Sequence, residues 1–274
     1  MIVDSFPGRR LRHDLDSGRK LVVALQAIPD PRFVDVLGRL GFDGVVIDAE
    51  HDGMGLRDIY DGCRAAEAAG IYPLVRIPDL TLPWIQRAAD AGAAAVIAPH
   101  IRTPELAKVL VQGTWYPPHG IRGMSTGSRA AGFGIRADYT SIVEQADLRP
   151  VPIAMIEDAE ALEILDDILD VPGFEVGWVG MGDLAASLGL PAQLAHPRVQ
   201  EATRRAMDAL SGSGKHAMIV AADAEQAIGL LHAGASIAVM SPVKMLATVA
   251  QAALTTIRTA VPEMVPTHRW EWTR

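Results

Sequence analysis

Hydrophobic positions in this chain fall in short continuous runs rather than in alternation. The runs are KLVVALQ (20–26), GVVIDAE (44–50), YPLVRIP (72–78), AAVIAPH (94–100), VPIAMIED (151–158), VGWVGMGD (176–183), HAMIVAAD (216–223) and SIAVMSP (236–242). Continuous runs predict parallel strands covered on both faces, since a strand with one wet face would alternate. Between them lie amphipathic stretches such as LRDIYDGCRAAEAA, LPWIQRAADA and HPRVQEATRRAMDALSGS, several of which stop at Gly before the next run (AAEAAG, AADAG, LSGSG, LLHAG). PVKMLATVAQAALTTIRTA, at 242–260, predicts a terminal helix. Strand and helix alternating through eight units predict an α/β protein with the (β/α)8 TIM-barrel architecture. The expected layout is a single domain over 1–274, with its core at about 20–260 and a tail over 261–274. A doubly wound open sheet needs no eighth strand, and no GxGxxG follows the first run to support a dinucleotide fold.

One interval breaks the rhythm. About fifty residues separate the fourth and fifth runs, holding one helix, then WYPPHGIRGMSTGSRAAGFG, then a helical piece around YTSIVEQAD. A long Gly-rich loop in a compact fold is commonly functional or mobile. Its Arg122, Arg129 and Arg136 suit anionic ligands, with ordinary surface arginines as the plain alternative.

Composition narrows the function classes. With 274 residues, 49% hydrophobic and 21% charged, the chain has the make-up of a soluble enzyme. It carries 25 Lys and Arg against 33 Asp and Glu, a net −8, and the bases are scattered, which argues against nucleic acid. The one cysteine, Cys63, has no internal partner and falls in a helical stretch, where a buried thiol is expected rather than a nucleophile. The amino-terminal stretch lacks an apolar signal core, and no run approaches eighteen apolar residues, so a cytoplasmic protein with no membrane partner is expected.

The chemistry gathers where the runs end. Asp48, Glu50 and His51 follow the second run, Arg76 the third, His100 the fourth, Glu157 and Asp158 the fifth, and Asp183 the sixth. Barrel enzymes keep their active groups at the carboxyl ends of strands. Helix capping explains Asp158, Asp183 or Asp223 one at a time, but not Glu157 inside AMIED or Arg76 inside LVRIP. Two carboxylates from neighbouring strands, Glu157 and Asp183, suit a hard divalent cation with positions left open for substrate oxygens. An arginine beside them grips a carboxylate or enolate through its planar fork, and a histidine moves protons near neutral pH. Together these groups suit proton abstraction or carbon–carbon cleavage next to a carbonyl.

GFDGVVIDAEHDG, PLVRIP, YPPHGIRG, the MIE of AMIED and the GDLAASLG of VGMGDLAASLG occur in this order. In that combination the sequence resembles the HpcH/HpaI family of class II pyruvate aldolases from about residue 20 to 255. The resemblance implies a TIM barrel, a divalent cation (Mg²⁺, Mn²⁺ or Co²⁺) and reversible aldol cleavage of a 4-hydroxy-2-oxo acid to pyruvate and an aldehyde. By position, His51 matches the family's catalytic histidine, Arg76 the arginine on the pyruvate oxygens and Asp90 the aspartate that pairs with that histidine. Glu157 and Asp183 match the metal ligands, the backbone at Gly182 faces the substrate carboxylate, and Arg122 and Arg129 lie in the loop that contacts substrate or a neighbouring subunit. Asp48 and Glu50 are then expected to hold His51 and its loop rather than to ligate the ion.

The departures bear on substrate. Met155 stands where the family commonly has Gln, and GPxDLS becomes Gly180-Met181-Gly182-Asp183-Leu184-Ala185. Ser241-Pro242-Val243-Lys244 replaces a Gly-x-Asp after the last run. Two alternatives stand beside the aldolase: related enolate chemistry, decarboxylating or phosphoenolpyruvate-utilising, and a barrel that only binds ligand. The family also implies a final helix exchanged between subunits and a homo-hexamer, and Trp270 and Trp272 in the tail HRWEWTR suit such an interface.

Overall fold

Each apolar run becomes a strand: β1 Leu21–Gln26, β2 Gly44–Asp48, β3 Tyr72–Arg76, β4 Ala95–Ala98, β5 Val151–Ile156, β6 Val176–Val179, β7 His216–Val220 and β8 Ile237–Met240. The structure, a computed structural model, describes residues 6–135, 139–140 and 149–261. Every strand pairs in parallel with the next, and β8 pairs with β1, so the sheet closes on itself as the expected (β/α)8 barrel. Asp48 and Arg76 close β2 and β3, while His100, Glu157 and Asp183 lie just beyond their strands, where the chain turns out of the barrel.

Side chains alternate along a strand, and the two faces of this sheet make two cores. Val23, Val46, Leu74, Ile97, Ile153, Met155, Trp178, Met218 and Val239 fill the lumen. Val45, Ile47, Val75, Val96, Ala98, Ala154, Ile156, Val179 and Ile219 pack outward against helices. Two residues beyond a lumen position stands another lumen position. That spacing sends Asp48 (after Val46), Arg76 (after Leu74) and Glu157 (after Met155) into the barrel mouth, and all three are buried.

Helices follow the strands as the amphipathic stretches predict: α2 Pro31–Leu40, α3 Leu56–Ala68, α4 Leu82–Asp90 and α5 Pro104–Thr114 after the first four. Two short helices, α6 Ala159–Glu163 and α7 Leu165–Leu169, follow β5. After β6 come α8 Met181–Ser187 and α9 Pro197–Gly212, then α10 Ala224–His232 after β7 and α11 Pro242–Ala260 after β8. Gly70, Gly92, Gly214 and Gly234, at the predicted helix stops, all take positive φ. A further helix, α1 Pro7–Asp16, arises from a stretch that reads as merely polar. Its Leu11 and Leu15, one turn apart, are 0% and 2% exposed and join the lumen core, so α1 closes the amino end of the barrel.

After α5, the rest of the long interval runs to the start of β5, and both of those points lie at that same amino end. Arg136, most of the expected helical piece at YTSIVEQAD, and Trp270 and Trp272 fall outside the described residues. From Lys244 to Ala260 every residue of α11 is exposed, including Leu246, Val249, Leu254 and Ile257. No helix among the described residues is long and apolar enough to cross a membrane.

Candidate active site

Asp48 and Arg76 are the last residues of β2 and β3 and stand directly opposite in the sheet register. Arg76 Nε donates to Asp48 Oδ1 at 2.9 Å, and its Nη2 reaches Asp48 Oδ2, a two-armed ion pair that is almost wholly buried. Asp48 Oδ1 also accepts the backbone N–H groups of Glu50 (3.0 Å) and His51 (3.3 Å), which folds the chain back over the strand end. Asp48 thus organises both the arginine and the histidine loop.

Glu50 Oε2 lies 3.1 Å from Arg76 Nη1 and 3.3 Å from His51 Nε2, close enough for charge attraction but without the alignment of a hydrogen bond. The guanidinium sits 5.4 Å above the Trp178 ring, with Met155 Sδ 3.9 Å from Nη1. Burial works against its charge, but the hydrogen bond and charge of Asp48, then of Glu50, hold its pKa above the usual arginine value. Burial also raises Glu50, against the attraction of Arg76 and His51. The His51 side chain remains 61% exposed, at the rim.

Glu157 follows β5 and is 1% exposed. Its Oε1 accepts the backbone N–H of His100 at 2.9 Å, whereas its Oε2 is buried with no hydrogen-bond partner. Burial pushes its pKa up to about 7, opposed by the His100 N–H and imidazole and reinforced by the charges of Asp183 and Glu50. A Cβ added at Gly180 would overlap Oε2, so glycine there keeps a notch open beside the orphaned oxygen. A carboxylate oxygen without a partner at this depth is costly, and a cation removes the cost. Asp183, in the first turn of α8, is exposed on the solvent side of the same site, next to exposed Gly182.

No three His, Cys, Asp or Glu side chains are grouped to hold a metal among the described residues. Two carboxylates, one with a free buried oxygen, still fit a hard cation whose other positions go to water and substrate oxygens.

Other expected residues fall elsewhere. Asp90 ends α4, at the amino end of the barrel, opposite His51. There Arg122, its side chain fully buried, donates from Nη2 to Asp90 Oδ1 at 2.6 Å and lies 4.5 Å from the Tyr116 ring. Arg129 pairs with Glu67 and donates to the Ala91 carbonyl at 3.1 Å. Within one chain, then, Arg122 and Arg129 reach carboxylates and carbonyls at the amino end rather than the strand ends, and His51 pairs with Glu50 rather than Asp90. Asp223 caps α10, as the capping alternative allowed, whereas Asp158 hydrogen-bonds His100 Nδ1 (3.1 Å) and forms an ion pair with Arg102 Nε (3.2 Å). Cys63 is buried, its thiol pushed up to about 12 by burial, as a structural thiol should be. His100 was visible in the sequence as a strand-end residue, but nothing there revealed its bond to Glu157.

The sequence profile of the family described as HpcH/HpaI aldolase/citrate lyase matches residues 27–245. The chain belongs to the HpcH/HpaI aldolase/citrate lyase family. It is an enzyme, a carbon–carbon lyase as that family is. It is 33% identical to the hydroxypyruvate/pyruvate aldolase of Roseobacter denitrificans over 88% of this chain and 93% of that one. It is 32% identical to the 5-keto-4-deoxy-D-glucarate aldolase of Escherichia coli, over 80% of this chain and 84% of that one. Among solved structures, an HpcH/HpaI aldolase/citrate lyase family protein from Burkholderia cenocepacia superposes with a TM-score of 0.86. That match has 32% identity and covers 91% of this chain and 99% of the other.

Proposed function

We propose that this HpcH/HpaI protein is a divalent-cation-dependent aldolase that reversibly cleaves a 4-hydroxy-2-oxo acid to pyruvate and an aldehyde. The observation that carries the proposal is Glu157 Oε2: a buried carboxylate oxygen without a partner, beside a glycine notch and within the field of Asp183. Glu157 and Asp183 would hold Mg²⁺, Mn²⁺ or Co²⁺. When bound, such a cation supplies Lewis-acid polarisation of the 2-oxo group.

The chain's own residues do the rest. Asp48, Glu50 and the Trp178 face hold the Arg76 fork in place, and its N–H groups not used by Asp48 would donate to an oxygen that gains charge as the enolate forms. His51, at the rim and beside Glu50, takes or returns the proton of the substrate hydroxyl in cleavage and carries or relays the methyl proton of pyruvate in exchange. The first-turn N–H groups at Gly182 and Asp183 receive the substrate carboxylate. The relatives named for hydroxypyruvate, pyruvate and 5-keto-4-deoxy-D-glucarate support a 2-oxo acid substrate.

A pair between His51 and Asp90 forms only between subunits, because one chain puts them at opposite ends of the barrel. The proposal therefore includes a homo-oligomer, a hexamer by family resemblance, with α11 exchanged or covered between copies. The continuous exposure of α11 supports it.

Pyruvate release from 4-hydroxy-2-oxo acids tests the activity. Exhaustive chelation should abolish it, and Mg²⁺, Mn²⁺ or Co²⁺ should restore it. Full activity in the chelated protein contradicts the proposal.

A further inference from the structure

His100 is a non-glycine residue with φ of 53°, in the left-handed region that side chains seldom occupy. It follows β4, where the chain leaves the sheet. The conformation aims two successive N–H groups at the neighbouring strand: His100 N–H donates to Glu157 Oε1 at 2.9 Å and Ile101 N–H to the Met155 carbonyl at 3.2 Å. The imidazole supports the same oxygen, with Nδ1 3.5 Å from Glu157 Oε1 and 3.1 Å from Asp158 Oδ2. Glu157 Oε1 is therefore committed to His100, and Oε2 alone faces the notch at Gly180.

We infer that His100 is a positioning residue for Glu157, whose left-handed backbone leaves only one carboxylate oxygen free for a cation and thereby selects a small octahedral ion over Ca²⁺. The inference rests on the two-carboxylate cation site proposed above. Ca²⁺ takes six to eight oxygens, often with a carboxylate giving both of its own, whereas Mg²⁺ accepts single oxygens in a tight octahedron. Hydrogen bonds that orient a ligand of this kind are worth about 10–100-fold in metal affinity.

Binding, not activity, is the readout. Metal-stripped protein is titrated with Mn²⁺, following free Mn²⁺ by electron paramagnetic resonance, and bound Mn²⁺ is then displaced with Mg²⁺ or Ca²⁺. Ca²⁺ should compete at least about tenfold less well than Mg²⁺. His100→Gly and His100→Asn, which tolerate a left-handed backbone, should keep Mn²⁺ affinity within about threefold. His100→Val, β-branched and unsuited to that backbone, should lose about 10–100-fold and narrow the gap between Mg²⁺ and Ca²⁺.

Equal competition by Ca²⁺ and Mg²⁺ in the unaltered protein overturns the inference, and needs no variant. It is equally overturned if His100→Gly and His100→Asn lose tenfold or more, because the imidazole rather than the backbone would then be responsible. Binding without discrimination removes this inference alone. If the unaltered protein binds no Mn²⁺, the cation site of the proposed function falls with it.

Discussion

Glu157 is the residue on which the most physics converges. Its folded pKa of about 7 stands above the ordinary 4.5, so the fold favours its protonated form. The stability linked to this group is fully present below pH 4.5 and is lost as pH rises through 7. Metal-free protein should therefore melt at progressively lower temperature between pH 5 and pH 8, and Glu157→Gln, which cannot titrate, should flatten that slope. An added divalent cation needs the ionised carboxylate, so its stabilising effect should grow over the same pH range. Parallel melting curves for the two proteins would show that burial of Glu157 is not what sets the slope. Asp48 contrasts with Glu157: equally buried, it is satisfied by Arg76 and two backbone N–H groups. Two strand ends thus carry two kinds of carboxylate, one fully paired and one with an oxygen left open.

The elements divide labour between the two ends of the barrel. α1 contributes to closure through Leu11 and Leu15, at the end of the barrel opposite the strand carboxyl ends. Leu11→Ala should cost about 2–5 kcal/mol of stability, as for large-to-small changes in a tight core, while leaving kcat at permissive temperature unchanged. A large fall in kcat without loss of stability would couple α1 to the site and contradict this division.

Eight apolar runs, four glycine helix stops and the ionisable residues at the run ends were all legible in the sequence, because strand period and glycine chemistry are local. Glu157 and Arg76 stood out for the same reason, as charged residues inside apolar runs. Three features were not legible. Half of α1 is charged, and its two leucines acquire meaning only against the open end of a barrel. The Asp48–Arg76 pairing depends on register between β2 and β3, which a single strand does not display. The bond from His100 to Glu157 depends on one left-handed residue, in a turn where nothing in Pro99-His100-Ile101 demands that backbone.

At the scale of the whole molecule, the chain leaves an apolar helix uncovered and a histidine far from its expected aspartate. The proposed assembly of copies would resolve both. Light scattering should give a mass several times the 29.2 kDa of one chain. Mixing inactive His51→Ala with inactive Asp90→Asn subunits should recover part of the activity, since some mixed interfaces hold both native residues. A monodisperse monomer contradicts the assembly, and mixtures that stay inactive contradict pairing across it.

The most direct measurement needs no aldehyde. Pyruvate and Mg²⁺ are incubated with the protein in D₂O, and the methyl protons of pyruvate are followed by NMR. If the site stabilises the enolate, the methyl signal should decay as deuterium replaces hydrogen. His51→Ala and Arg76→Ala should each slow that decay by about a hundredfold or more, the scale of losing one proton-transfer group or one oxyanion donor. A methyl signal that persists while pyruvate and Mg²⁺ are demonstrably bound would contradict enolate chemistry at this site.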